Sequence, residues 1–160
     1  MSQPQQKPGK SEQSVGTPWE FIEAVERRWG KLAIDLAADA ENAKAPLFIT
    51  EAQDSLADGV FWAVEGNSWC NPPFANIARW AQKCREQQLT LGPGFGIFLL
   101  VPASVGSHWY WDHVAPFADV YALSPRLTFE GHTSAYPKDL VLAHYTRHAA
   151  GAFKRWEWKS

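Results

Sequence analysis

Gly66-Asn67-Ser68-Trp69-Cys70-Asn71-Pro72-Pro73-Phe74 is the stretch from which the rest of the chain can be read. Asn67 to Cys70 has the length of a short buried strand. Ile77, Trp80, Ala81 and Cys84 follow at helical spacing, so the element after it is an amphipathic helix. Between the two, Pro72 and Pro73 fix φ and remove two N–H donors. The carbonyls of Asn71 and Pro72 are then left without local partners and can face a ligand. Asn71 adds a side-chain acceptor and Phe74 a flat face. That combination suits an exocyclic amino group on a planar ring, with acceptors for the NH₂ and an aromatic to stack on the base. The same residues also suit a plain turn, because Asn-Pro starts turns and a Pro-Pro pair ends strands. Their surroundings decide between the two.

Residues 1–15 are polar, with almost no apolar content, and read as a disordered tail. Order begins near Thr17, with residues 16–160 as one domain. Thr17-Pro18-Trp19-Glu20 offers Thr as N-cap, Pro at the first helical position and Glu three residues after the cap. Ile22, Val25 and Trp29 share the face of that helix, and Gly30 stops it. Lys31 to Leu36 reads as a strand, 41–46 as a turn or short helix, and Leu47 to Thr50 as a second strand. Residues 51–61 are polar and irregular, and 91–96 is a Gly/Pro turn.

Phe95 to Val101 is almost wholly apolar, as expected of a central parallel strand covered on both faces. Ser107 caps a helix to about Ala115. Val120 to Leu123 and Leu140 to Tyr145 are two more strands, parallel or antiparallel to each other, joined by a long loop. Strands alternating with helices predict a doubly wound α/β sheet. Ligands in such sheets sit at the carboxyl ends of the strands. Asp35 to Asp39, Glu51 to Asp54 and Asn71 to Phe74 all fall there, which lifts the ligand reading above the turn.

The composition narrows the function. Of 160 residues, 46% are hydrophobic and 20% charged, so the chain is globular. A net charge of −2 provides no global basic field, so a nucleic-acid partner must be held by a local patch. Cys70 and Cys84 lack metal-ligand spacing and read as buried thiols in a reducing, cytoplasmic compartment. The histidines show no ligand spacing either, so neither a metal nor a catalytic histidine is expected. No signal peptide or membrane span is visible. Trp109, Tyr110 and Trp111 are consecutive and cannot all face inward.

The ordered blocks resemble a family. Thr17-Pro18, Ile34-Asp35-Leu36-Ala37-Ala38, Asn42-Ala43-Lys44, Phe48-Ile49-Thr50, Asp54-Ser55-Leu56, Trp62, Trp69-Cys70-Asn71-Pro72-Pro73-Phe74, Leu100-Val101-Pro102-Ala103 and Arg126-Leu127-Thr128-Phe129 are similar to blocks of the phage-encoded Dam-type DNA N6-adenine methyltransferases. The resemblance implies a Rossmann-like methyltransferase sheet, mostly parallel, with an antiparallel strand near the C-terminus and helices on both faces. It implies S-adenosylmethionine as methyl donor and adenine N6 in phage or host DNA as acceptor. Asn71 and the Pro72 carbonyl would accept from the adenine amino group, and Phe74 would stack on the flipped base. No covalent intermediate or metal is required, because the sulfonium is already electrophilic and positioning is most of the catalysis. Thr17-Pro18 matches the family's amino-terminal cofactor motif. Asp35, Leu36 and Ala37 would lie against the methionine part of the cofactor. Glu51 or Asp54 would take its ribose hydroxyls or its adenine amino group.

The Asn-Pro-Pro-aromatic element alone also fits cytosine N4, RNA adenine or a protein glutamine as acceptor. Ala37-Ala38 departs from the Gly-rich turn of broader methyltransferases, where backbone must approach the cofactor, and so keeps open a non-catalytic DNA-binding relic. The predicted elements use up the chain, so base contacts are expected from 104–111 and 131–138 rather than from a separate recognition domain. Trp109, Arg126 and Lys138 are the DNA-contact candidates, against the plainer roles of a core tryptophan and a surface ion pair. The basic and aromatic carboxyl end, with Arg147, His148, Lys154, Arg155, Trp156, Trp158 and Lys159 against one acid, Glu157, either follows a phosphate backbone or is a solvated final segment that packs its tryptophans on the core.

Overall fold

Ile97–Pro102 forms the central strand because both of its faces find apolar cover. Ile97, Leu99 and Val101 point into one core and Phe98 and Leu100 into the other. All five are buried, each stabilising the fold by roughly 1.5–3 kcal/mol. The computed structural model describes residues 16–62 and 65–159. The predicted tail at 1–15 lies outside them. In chain order the elements are α1 (Trp19–Trp29), β1 (Leu32–Asp35), β2 (Leu47–Phe48), β3 (Asn67–Cys70), a 3₁₀ turn (Phe74–Asn76), α2 (Ile77–Gln88), β4 (Ile97–Pro102), α3 (His108–His113), β5 (Asp119–Ser124), β6 (Leu140–Tyr145) and β7 (Phe153–Glu157).

Among the described residues the strands form one mixed sheet in the order β2-β1-β3-β4-β6-β5-β7. β1 runs parallel to β2 and β3, and β3 parallel to β4. β6 is antiparallel to both of its neighbours, and β7 is parallel to β5. Phe21, Ile22, Ala24 and Val25 of α1 cover one face with Trp69 and Leu123. Ile77, Trp80, Ala81 and Cys84 of α2 and Tyr110 of α3 cover the other with Cys70 and Val141. Helices therefore lie on both faces, and β6 is the expected antiparallel strand. From β1 the chain steps outward to β2 and then returns to β3 on the other side. The strand order thus reverses at the β1–β3 pair, which places a ligand crevice at the carboxyl ends of those two strands.

Two local expectations need correction, and a third point is decided between its alternatives. α1 begins one residue later than the Thr17 cap predicts. Pro18 holds the cap position, and its carbonyl accepts from the N–H groups of Phe21 and Ile22 at 3.0 and 3.2 Å. Thr17 makes no cap bond. Its hydroxyl is engaged elsewhere, with a residue remote in sequence. α3 ends at His113, short of Ala115, and Ser107 at its cap donates to the Ser104 carbonyl at 2.6 Å rather than capping. The carboxyl end is the edge strand Phe153–Glu157 followed by Trp158, which is buried against Phe21, ring centroids 5.2 Å apart. Of the two readings of this end, that favours the one in which its tryptophans pack on the core. Gly30, at φ 99°, stops α1 as expected, and its N–H donates to the Glu26 carbonyl at 2.9 Å. Cys70 and Cys84 are buried free thiols, and burial pushes both pKa values up. No helix among the described residues is long and apolar enough to cross a membrane.

One buried amide fixes the lower end of the β3 crossing. Asn67 is 5% exposed. Its Nδ2 donates to the carbonyls of Trp29 at 3.2 Å and Lys31 at 3.3 Å, and its Oδ1 accepts the Gly96 N–H at 2.9 Å. It ties the end of α1 and the starts of β1 and β4 to one side chain. Asn67→Ala leaves these backbone groups unpaired in a dry setting. Urea denaturation is expected to show a loss of roughly 2–4 kcal/mol; a loss well under 1 kcal/mol would show that water replaces the amide.

Candidate active site

β3 ends at Cys70, and the chain must then leave the sheet without donors at Pro72 and Pro73. Pro72 is buried, Asn71, Pro73 and Phe74 are half-buried, and Pro73 sits extended at φ −59°, ψ 132°. Among the described residues no backbone N–H bonds the carbonyl of Asn71 or Pro72. Asn71 Nδ2 donates to Thr17 Oγ1 at 2.9 Å, whereas no described residue donates to Oδ1. The motif therefore presents acceptors, as its composition predicts.

Two recesses flank these four residues. One, of about 330 Å³, is lined by Leu36 to Asp39, Ile49 to Glu51, Asp54 to Leu56, Pro73 and Trp80. The other, of about 240 Å³, is lined by Asn71, Phe74, Phe129, His132, Tyr136 and neighbours in the 126–139 loop. Its aromatic wall is ordered edge-to-face. The Phe74 and Tyr136 rings stand 6.2 Å apart at 71°, and those of Phe129 and Tyr136 5.4 Å apart at 88°. A third, much smaller recess joins Gly16, Thr17, Asp35, Ala37, Lys44 and Asn71. Pro73 thus lines the first recess and Asn71 the second, with Pro72 between them in the chain.

Asp35 closes β1 and is 3% exposed. Its Oδ1 accepts the Ala37 N–H at 3.2 Å and its Oδ2 the Lys44 N–H at 3.0 Å. Burial outweighs these bonds and the nearby Lys44 charge, and raises its pKa from 3.8 to about 6. The folded chain therefore holds this proton more tightly than the unfolded one. The resulting penalty is absent below pH 4, grows between 4 and 6, and is complete above 6, on the order of 3 kcal/mol.

Around Ala37 and Ala38 the chain leaves β1 through a bend at Leu36 and Ala37, with the Leu36 N–H on the Trp69 carbonyl at 2.8 Å and the Ala38 N–H on the Ile49 carbonyl at 3.1 Å. The Ala37 and Ala38 methyl groups leave the large recess open above them. Glu51 and Asp54 both reach that recess, and both are exposed. They differ in freedom. Asp54, at φ 55°, uses Oδ1 to accept the Leu56 N–H at 3.1 Å, so part of its carboxylate is spent on its own turn. Lys83 Nζ holds that turn from α2, on the Ser55 and Ala57 carbonyls at 2.6 and 3.0 Å.

The remaining candidates are more scattered. Thr17 reaches Asn71, but Pro18 only starts α1 and lines no described recess. Trp109 is half-buried against the core of α2 and α3, and Trp111 is the exposed member of that triplet, at 59%. Arg126 Nε pairs with Asp139 at 2.9 Å, both partners being exposed. Lys138 is exposed just beyond Pro137 on the loop of the second recess. Sequence reasoning passed over Lys44, Glu130 and Tyr136 as site residues. Lys44 is 5% exposed, pairs with Glu130 at 3.1 Å and lies 4.3 Å from the Trp19 ring centroid. Its place in the Asn42-Ala43-Lys44 block was the available signal. Tyr136 falls in the segment expected to make base contacts. Among the described residues no group of three or more His, Cys, Asp or Glu side chains is placed to hold a metal ion.

Comparison with known proteins bears on this geometry. Residues 6–152 match the family model described as DNA N-6-adenine-methyltransferase (Dam). Over 127 residues the chain is 27% identical to the DNA N-6-adenine-methyltransferase of Escherichia phage T1, covering 79% of this chain and 51% of that protein. The chain thus spans about half the length of that curated relative. The family match takes in both walls of the Asn71–Phe74 site and most of the sheet beneath it, so the chain belongs to the DNA N-6-adenine-methyltransferase (Dam) family.

Proposed function

We propose that the protein transfers the methyl group of S-adenosylmethionine to the N6 amino group of adenine in DNA, on a Rossmann-like methyltransferase sheet. The observation that carries this is the meeting of two recesses at Asn71–Phe74, beside the strand-order reversal. The larger recess suits the cofactor. Its volume lies within the roughly 300–1,000 Å³ of small-molecule sites, Leu36, Ile49, Leu56 and Trp80 supply apolar wall, and Glu51 and Asp54 supply acids at the rim. Glu51, whose carboxylate bonds no described backbone N–H, is the better acceptor for a ribose diol, which leaves the Asp54 turn for the adenine ring. Asp35 faces the small joining recess and suits the ammonium of the methionine part.

Bound S-adenosylmethionine supplies an electrophilic methyl group. The chain's own residues hold the acceptor. Asn71 Oδ1 and the Pro72 carbonyl take the two amino hydrogens, which directs the nitrogen lone pair out of the ring plane. Phe74 and Tyr136 offer faces and edges to a flipped base. Within the described residues the loop-helix junction at 104–111 and the loop at 131–138 are the places for DNA contact, with Trp109, Lys138 and, once released from Asp139, Arg126 as candidates. The family match favours adenine over cytosine, RNA or protein acceptors. The open recess above Ala37-Ala38 favours a catalyst over a relic.

Incubation with labelled S-adenosylmethionine and mixed-sequence DNA, followed by digestion to nucleosides, is expected to yield N6-methyladenine. Asn71→Ala is expected to lower the rate at least about 100-fold, the usual cost of removing one placed hydrogen-bonding group, while still binding cofactor. N4-methylcytosine as product, or equal rates for the two proteins, would sink the proposal.

Asp35 gives the proposal a pH dependence. Ionised Asp35 is the form that receives an ammonium, and it is the minor form below about pH 6. Cofactor affinity measured by calorimetry should therefore tighten about tenfold from pH 5 to pH 7, following the ionised fraction. In Asp35→Asn the profile should be flat. A flat wild-type profile would remove Asp35 from the cofactor site.

A further inference from the structure

Thr17 stands where a threonine commonly caps a helix, yet it makes no cap bond. Its Oγ1 instead accepts from Asn71 Nδ2 at 2.9 Å, across 54 positions of sequence. Thr17 is 2% exposed, so bulk water does not compete for that bond. The backbone before it is held independently. The Gly16 carbonyl accepts the Glu130 N–H at 3.0 Å, and the Glu130 carboxylate pairs with buried Lys44 at 3.1 Å. A side chain on Gly16 would collide with that carboxylate.

We infer that Thr17 is a positioning residue that holds the Asn71 amide with its oxygen toward the second recess; this rests on the methyl-transfer reading above. The terminal torsion of an asparagine is soft. Its two ends are chemically opposite. An incoming NH₂ needs the oxygen, whereas a turned amide aims N–H groups at the lone pair that must attack. Thr17 gives Nδ2 a buried acceptor, so the productive orientation leaves that donor paired. A hydroxyl can also donate, so Thr17 does not select the orientation alone. The amino group selects it, and Thr17 holds it against rotation.

The test compares wild type, Thr17→Val and Thr17→Ser in DNA methyl transfer and in S-adenosylmethionine titrations, with thermal unfolding as a control for folding. Valine keeps the shape and removes the hydroxyl. It should lower kcat about 10- to 100-fold, the scale of a small misplacement, with cofactor Kd unchanged. Serine should restore kcat. Should Thr17→Val not fold, Thr17→Ala is read in the same way. Wild-type kcat in the hydroxyl-free variant overturns the inference. So does a weakened cofactor Kd with normal kcat at saturation, which makes Thr17 a cofactor contact, or a serine variant as slow as valine, which makes the effect one of packing. A wild type that transfers no methyl group brings down the reaction reading first, and this inference with it.

Discussion

The parallel pairing of β1 with β3 is the constraint on which the site depends. Asp35 lies opposite Trp69, and the Leu36 N–H extends the ladder to the Trp69 carbonyl. Among the described residues no further backbone bond joins the two strands beyond that level. One continues into the Ala37-Ala38 turn and the other into Asn71-Pro72. Side chains alternate along a strand, so a slip of one residue would exchange the faces. Trp69, now buried against α1, would trade sides with Cys70, which packs toward α2. A tryptophan and a cysteine differ too much in volume for either core to accept the other. Core packing thus fixes the register, and the register sets Asp35 beside Asn71.

Above that pair the structure tolerates polar groups that a plain core would exclude. Asp35 and Lys44 are both buried, and a buried charge is costly unless it is bonded. Each finds a partner, but not chiefly in the other. Asp35 takes two backbone N–H groups, one of them from Lys44, while the Lys44 ammonium reaches out to Glu130. The bonds to Asp35 do not offset its desolvation, which is why its pKa stays raised. A carboxylate held in this state does not stabilise the fold at neutral pH.

Much of this could be read from the residues, for physical reasons that differ by element. β4 was legible because an uninterrupted apolar run has few homes other than a doubly covered strand. α2 was legible from its spacing, and the Asn71–Phe74 motif because two prolines and an amide impose local geometry whatever surrounds them. Thr17 misled because local chemistry offered a sufficient role, a helix cap, while a tertiary hydrogen bond from Asn71 won the hydroxyl. β7 was missed because Phe153–Glu157 carries basic residues and lies at an edge, where one side of the ladder faces solvent and the apolar signal weakens. The Lys44–Glu130 pair spans 86 positions of sequence, and nothing local marks either residue for the other.

The two asparagines bounding β3 show why the same side chain serves opposite ends. Asn67, at the entry, has both ends of its amide committed to backbone, which makes it part of the scaffold. Asn71, at the exit, has only its nitrogen committed, and to a hydroxyl. A fully paired amide cannot receive a ligand, and a wholly unpaired one would rotate. Half-commitment gives one free acceptor in a defined direction. The loop opposite follows the same logic. Leu127 and Phe129 anchor it in the core, and Tyr136 returns its N–H to the Leu127 carbonyl at 2.7 Å, while 131–135 stay exposed. Glu130, between anchor and tip, is bonded to the segment that carries Thr17. The loop that walls the second recess and the Asn71 amide are therefore tied to two adjacent residues, Gly16 through its carbonyl and Thr17 through its hydroxyl.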